Sequence, residues 1–348
     1  MIVLNKRKIP QYFQKISPNL DFEIKKIISC EEFDQYTNVN FIFKVKLQTQ
    51  KGAKIIFLKQ ARSFNKRAKK QGHLVKTDPD RILGEDKLIR LLAKIWGKDF
   101  VPKIHYFDKK NKILIMSDVS QNGKLLLIEE FKNNRVHPEL GVLFGNLFGK
   151  LHNSTYKTRE NIAGSIKWQN RMLWLLNEYY GFGIKKFVPT KEFDDFFKES
   201  KNSPRSVIWN DAIYRNIFVK ENSVSMVDFD HTINFDPAVD NGMLIAHWVW
   251  MMLKGDKKLE QDCRKFIQDY IKNYVKHLKN VPKKEINEIL ERTINWLAIY
   301  LVSRTDGKNG SYFKENPKWE QKIRQTGIDL FIHKDTPVTL KIKNLIKA

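Results

Sequence analysis

The stretch Ile208-Trp-Asn-Asp-Ala-Ile-Tyr-Arg-Asn-Ile-Phe-Val219, followed after a second apolar run by Asp228-Phe-Asp230, constrains this chain more than any other. Short β-branched runs bounded by polar residues read as strand, loop, strand and turn over 206–236. So small a β unit is stable only when embedded in a larger core. Its polar members are an aspartate five positions before an asparagine, then two carboxylates. They make a set of hard oxygen ligands plus one separate carboxylate, which is what phosphoryl transfer from a metal-bound nucleotide to a hydroxyl requires.

Length and charge narrow the classes. The 348 residues suffice for two lobes, and 42% apolar with 29% charged residues is ordinary for a globular chain. The formal charge of +24 is not ordinary and predicts attraction to polyanions. However, 49 Lys against 14 Arg is the wrong balance for base and phosphate recognition, which favours the planar arginine fork. The charge therefore reads as a solvated lysine-rich surface, and nucleic acid ranks last among partners. Cys30 and Cys263 stand far apart, which excludes a disulfide framework and a cysteine zinc site and fits a reduced compartment. The first residues are too briefly apolar for a signal segment, and the run Met243 to Leu253 is too short to span a bilayer. A cytoplasmic location without a membrane partner is expected. Oligomeric state stays open, a homodimer included.

The first third reads as β-rich. Phe41, Phe43, Val45 and Leu47 alternate with polar residues, and Gln50-Lys51-Gly52 turns the chain into a second strand over 53–59. A helix is expected from about Asp80 to Ile95, then two short strands near 103–107 and 113–116. From His137 helices dominate: one to about His152 with Gly141, Gly145 and Gly149 on a single face, others around 167–182, 241–253, 258–278, 284–303 and 317–333. Three glycines at that spacing weaken a helix by about 1 kcal/mol each unless another backbone packs closely there. The class is α+β, with a nucleotide-binding lobe over 1–118 and a catalytic, substrate-binding lobe over 119–348.

Roles follow from position. Asp211, in the loop after a strand, is the candidate to orient an acceptor hydroxyl and take its proton; Asn216, Asp228 and Asp230 are the candidate metal ligands.

This segment resembles the catalytic loop and metal motif of the aminoglycoside phosphotransferase and choline kinase superfamily, which shares the bilobal protein-kinase fold. The resemblance makes Asp240 the aspartate that braces the catalytic loop from a helix start. Motif order over roughly 35–310 is most similar to the 5-methylthioribose kinases. It runs through Asn38-Val-Asn-Phe-Ile-Phe-Lys-Val45, Phe57-Leu-Lys-Gln-Ala61, Asp80-Arg-Ile-Leu-Gly-Glu85, Val101-Pro102, Met116-Ser-Asp-Val-Ser120 and Gly149-Lys-Leu-His152. It implies ATP and Mg2+ as cofactors and a small-molecule hydroxyl, that of a sugar-like compound, as acceptor. Lys59 would meet the phosphates, with Glu85 as its ion-pair partner and Asp86 as the adjacent alternative. Asn38 and Asn40 would lie at the phosphate loop, and Met116 and Asp118 at the adenine. The run Lys66-Arg-Ala-Lys-Lys70 would sit near the nucleotide and add charge there, a solvated loop being the equal alternative. Arg304 and Asp306, placed after a helix expected to end near Leu301, would meet the acceptor, Gly307 serving equally as a helix cap.

Two departures stand out. Trp209 occupies the place where the family carries a bracing histidine, and the loop 33–39 has no glycine to let amides approach phosphates. They leave a catalytically silent, nucleotide-binding regulatory protein as the alternative reading, with a basic nucleic-acid binder behind it.

Overall fold

The computed structural model describes residues 2–33, 39–70, 72, 75–120, 123–306 and 316–332. They form two compact units. The first holds Met1–Lys124 and takes back Ile162–Gln169 and Ser225–His231; the second holds Leu125–Asn161, Asn170–Val224 and Thr232–Ala348.

The first unit opens with helix α1 (Ile9–Ile16), then strands β1 (Ile24–Phe33), β2 (Phe41–Thr49) and β3 (Gly52–Gln60). A short helix α2 (Lys66–Lys70), the long helix α3 (Arg81–Ile95) and strands β4 (Ile104–Asp108) and β5 (Ile113–Ser117) follow. The five strands make one antiparallel sheet in the order β1-β2-β3-β5-β4. The expected hairpin is present in full register from Phe41↔Gln60 to Thr49↔Gly52. Gly52 takes a φ of 108°, which a side chain would resist, and so closes the turn. The alternating residues Phe43, Val45 and Leu47 bury beside Ile56 and Leu58. They share that core with Ile9, Tyr12, Phe13 and Ile16 of α1, a helix that the sequence pattern did not reveal. The returning segment 162–169 packs on α3 so closely that a Cβ at Gly84 would lie 2.7 Å from the Ile162 carbonyl.

The second unit is mostly helical. It begins with β6 (Leu125–Leu126), α4 (Leu127–Lys132) and α5 (Leu140–Ser154). Next come α6 (Ile166–Trp174), a π-helical turn at Leu175–Tyr180, α7 (Gly181–Ile184) and α8 (Thr190–Asn202). Four short strands follow, β7 (Ser206–Ile208), β8 (Ile217–Lys220), β9 (Ser223–Met226) and β10 (Ile233–Phe235). The chain ends in α9 (Ala238–Met252), α10 (Lys257–His277), α11 (Lys283–Asp306) and α12 (Pro317–Ile332). Every residue of α9 is buried, Asp240, Asn241 and His247 included. The expected helix over 167–182 is present as one continuous helical run, with a π-helical turn between α6 and α7. The helix expected to stop near Leu301 instead continues to Asp306, because Leu297 to Thr305 stay buried against neighbours. Among the described residues no helix is long and apolar enough to cross a membrane.

β7 pairs antiparallel with β10 and β6 with β8. The loop 209–216 is therefore suspended between two short β pairs, in front of the start of α9.

Candidate active site

In the first unit a buried ion cluster forms where β3, α3 and the segment 225–231 meet. Lys59 near the end of β3 is 2% exposed, and its Nζ lies 2.8 Å from both carboxylate oxygens of Glu85. It also pairs with Asp228 and stands 4.0 Å from Asp230. Glu85 is on the buried face of α3, accepts the Phe229 N–H at 3.3 Å and is the partner; Asp86 instead pairs with Arg90. Burial alone would lower the Lys59 pKa, but Asp228, Asp230 and Glu85 outweigh it and push the ammonium above its usual range. Arg81 is the second cation, so two positive charges face three carboxylates within the cluster. At Glu85 burial outweighs the pull of Lys59, and the carboxyl is pushed up to about 7.

The three carboxylates bring one oxygen each to within 4.8 Å of one another. Oxygen donors with an excess of negative charge suit a hard divalent cation. Asp228 is the member best placed to offer an oxygen, since its side chain is 38% exposed. It holds a φ of 64°, a left-handed conformation that aspartate tolerates better than most residues.

The second unit holds the loop after β7. Asp240, in the first turn of α9, accepts the backbone N–H of Trp209 at 2.8 Å and that of Asn210 at 2.7 Å. This is the brace the resemblance implied. His152, at the end of α5, lies 3.4 Å from the same carboxylate and 3.0 Å from the Tyr274 hydroxyl. Asn210 takes a φ of 59°, which turns the chain so that Asp211 follows. Asn216 Nδ2 then donates to the Asp211 carboxylate at 2.7 Å and to its carbonyl at 3.1 Å. That bond turns the Asn216 amide oxygen away from the Asp211 carboxylate. Trp209 is fully buried and stacks with Phe148 at 6.4 Å. Its side chain packs while its main chain makes the brace.

Other expected site residues are placed as follows. Both ends of the Asn40 amide are engaged, Nδ2 donating to Asp230 at 2.7 Å and Oδ1 accepting from Arg81 at 2.8 Å. Met116 is buried in β5 opposite Phe57, and Asp118 accepts the N–H and hydroxyl of Ser120 in a turn. Lys66 is tied to Glu32 at 2.9 Å. Arg304 and Asp306 both lie on α11 and diverge. Arg304 donates to the Tyr300 hydroxyl at 2.7 Å and faces the Tyr300 and Tyr180 rings, while Asp306 pairs with Arg324 of α12. Two positions apart on a helix, the two side chains do not share a face. Asn38, Gly307 and most of the glycine-free loop lie outside the described residues.

Sequence reasoning passed over Arg81 except as part of a motif. A signal was present: an arginine opens α3, where the helix dipole disfavours a cation. A cation there needs a tertiary partner.

No protein-family model and no curated protein sequence matches the chain. Among solved structures, an amicoumacin kinase in complex with AMP-PNP, Ca2+ and Ami superposes with a TM-score of 0.51 at 12% identity, covering 94% of each chain. An aminoglycoside 2'-phosphotransferase-IIIa mutant with GDP reaches 0.48 at 14% identity, over 97% of this chain and all of that one. A choline kinase, LicA from Streptococcus pneumoniae, reaches 0.47 at 14% identity, over 93% and 99%. The antiparallel amino-terminal sheet followed by a mostly helical region is the kinase-like fold of the amicoumacin kinase.

Proposed function

We propose that the chain is an ATP- and Mg2+-dependent kinase acting on a hydroxyl of a small, sugar-like molecule of the kind the methylthioribose kinases use. The nucleotide would be served from 1–118 and the acceptor from 119–348. The observation that carries this reading is the Asp211–Asn216 hydrogen bond within a loop braced by Asp240. The fold is one on which the amicoumacin kinase holds AMP-PNP and a divalent cation.

In this reading Asp228 and Asn216 would hold a Mg2+ ion, which would supply neutralisation of phosphate charge. Lys59, held by Glu85, contacts the phosphates. Asp211 accepts the hydroxyl proton as the acceptor oxygen bonds to the γ-phosphorus and the bond to the departing ADP oxygen breaks. Asn216 fixes the Asp211 carboxylate while presenting its own oxygen the other way. Trp209 gives no support to a silent protein, because the brace to Asp240 uses main-chain N–H groups that any non-proline residue supplies.

The test is Asp211→Asn, which preserves size and the partner to Asn216 but removes the base. Turnover on a panel of sugar-like acceptors should fall about 10³-fold, with nucleotide affinity held within about threefold. Undiminished turnover by the variant would sink the assignment.

A further inference from the structure

The metal motif offers two carboxylates, Asp228 and Asp230, but their surroundings differ sharply. The Asp230 side chain is 3% exposed against 38% for Asp228. Its Oδ2 accepts from Asn40 Nδ2 at 2.7 Å and from Arg81 Nε at 3.2 Å, and its carbonyl accepts the Trp168 indole N–H at 2.5 Å. Arg81 is fully buried and closes a triangle by donating to Asn40 Oδ1 at 2.8 Å and 3.2 Å. Its Nη1 donates to the Arg62 carbonyl at 3.1 Å, the Thr77 hydroxyl at 3.2 Å and the Asp78 carbonyl at 2.8 Å. Such a guanidinium joins the residue just before β2, the start of α3 and the segment 225–231 into one rigid knot.

Mg2+ keeps several waters and demands near-octahedral space, so it favours a carboxylate open to solvent over a buried one whose Oδ2 already accepts two protein donors. We infer that Arg81 is a positioning residue that, with Asn40, commits Asp230 to a structural anchor and leaves Asp228 as the carboxylate of the pair that serves the metal. The inference rests on the proposed nucleotide and metal reading. It departs from that reading's family pattern, in which both carboxylates hold metal.

Lys59 supports the division of labour. It pairs directly with Asp228 and stays 4.0 Å from Asp230, so the anchor restrains the segment without drawing the phosphate-contacting ammonium away. The Asp230 carboxylate, 3.2 Å from Arg81 Nε, supplies the counter-charge that the buried guanidinium would otherwise lack.

Two readouts on the full chain test this. The first is the ratio of fluorescent ATP-analogue affinity with and without Mg2+, for the parent, Asp228→Asn and Asp230→Asn. Asp228→Asn should erase the metal-dependent gain by about tenfold or more, while Asp230→Asn keeps it within about threefold. Loss of the gain in Asp230→Asn to the same degree would overturn the inference. The second is a double-mutant cycle in thermal unfolding over Arg81→Met, Asp230→Asn and the pair. The pair should unfold within a few degrees of the worse single variant, since removing both ions leaves no orphaned charge. Additive losses would overturn the anchor. If Arg81→Met alone fails to fold, recovery of a folded protein in the double variant supports the anchor, and continued failure counts against it. A parent whose nucleotide affinity ignores Mg2+ would defeat the kinase reading, and the unfolding cycle then still decides the anchor.

Discussion

At the scale of single residues, Asp240 and Glu130 make opposite use of a buried carboxylate. Asp240 is wholly buried and spends both oxygens on the amides of Trp209 and Asn210. Asp240→Ala would strand two buried donors, at a cost of about 3 kcal/mol. Denaturant unfolding should report that loss, and turnover should fall with it because Asp211 loses its footing. An unchanged midpoint would mean that water replaces the carboxylate. Glu130 faces Arg135 in a two-pronged pair at 2.7 Å and 2.6 Å and meets His137 at 2.8 Å. Chiefly through Arg135, its carboxyl is pulled from the ordinary 4.5 down to about 2. A depressed carboxyl stabilises the fold above its unfolded pKa, so this contribution is lost as pH falls from 4.5 toward 2. Since Arg135 is half exposed, about 1 kcal/mol is expected. Glu130→Gln should be less stable than the parent by that amount at neutral pH, and the gap should close through the acid window. The pairing of Asp211 with Asn216 and of Lys59 with Glu85 was legible in their order along the chain. The partner of Arg81 was not, because Asn40 and Asp230 stand 190 positions apart and only packing joins them.

Among the elements, α5 shows how far periodicity reaches. Its three aligned glycines implied a close backbone, and α10 supplies it: a Cβ at Gly141, Gly145 or Gly149 would lie 2.3, 2.5 or 2.7 Å from the carbonyls of Phe266, Tyr270 and Tyr274. Gly145→Ala, which on an open helix would add about 1 kcal/mol of stability, should here destabilise by about 2 kcal/mol. Thermal unfolding checks the sign, and a more stable variant would show that the two helices can part. The hairpin β2–β3 and helix α3 were legible for the same reason, a clean period set against one buried face. α8 was missed because charged residues dominate it, and only Phe193, Phe196 and Ser200 turn inward. The π turn at Leu175–Tyr180 and the extension of α11 to Asp306 answer to neighbouring packing, which local propensity does not encode.

For the whole molecule the charge of +24 is the strongest electrostatic influence. With 63 basic against 39 acidic residues, repulsion among exposed lysines outweighs the attraction in surface pairs. Raising salt from about 20 mM to about 300 mM should therefore raise the melting temperature by about 3 °C, as screening shortens the reach of that repulsion. A fall would show that surface ion pairs carry more than the net charge suggests. The buried cluster of Lys59, Glu85, Arg81 and Asp230 should respond little, since screening acts through solvent. The sequence by itself determined the kinds of groups present and their order: a strand lysine, a helix glutamate, a loop aspartate with its asparagine, and paired carboxylates after a strand. Reaction chemistry depends on those functional groups, and their types and spacing are written locally. Tertiary structure alone decided which carboxylate of the pair is buried against a guanidinium and which faces solvent. Burial and the nearness of a guanidinium determine whether an aspartate faces solvent or is consumed as an anchor, and both arise from contacts between distant segments.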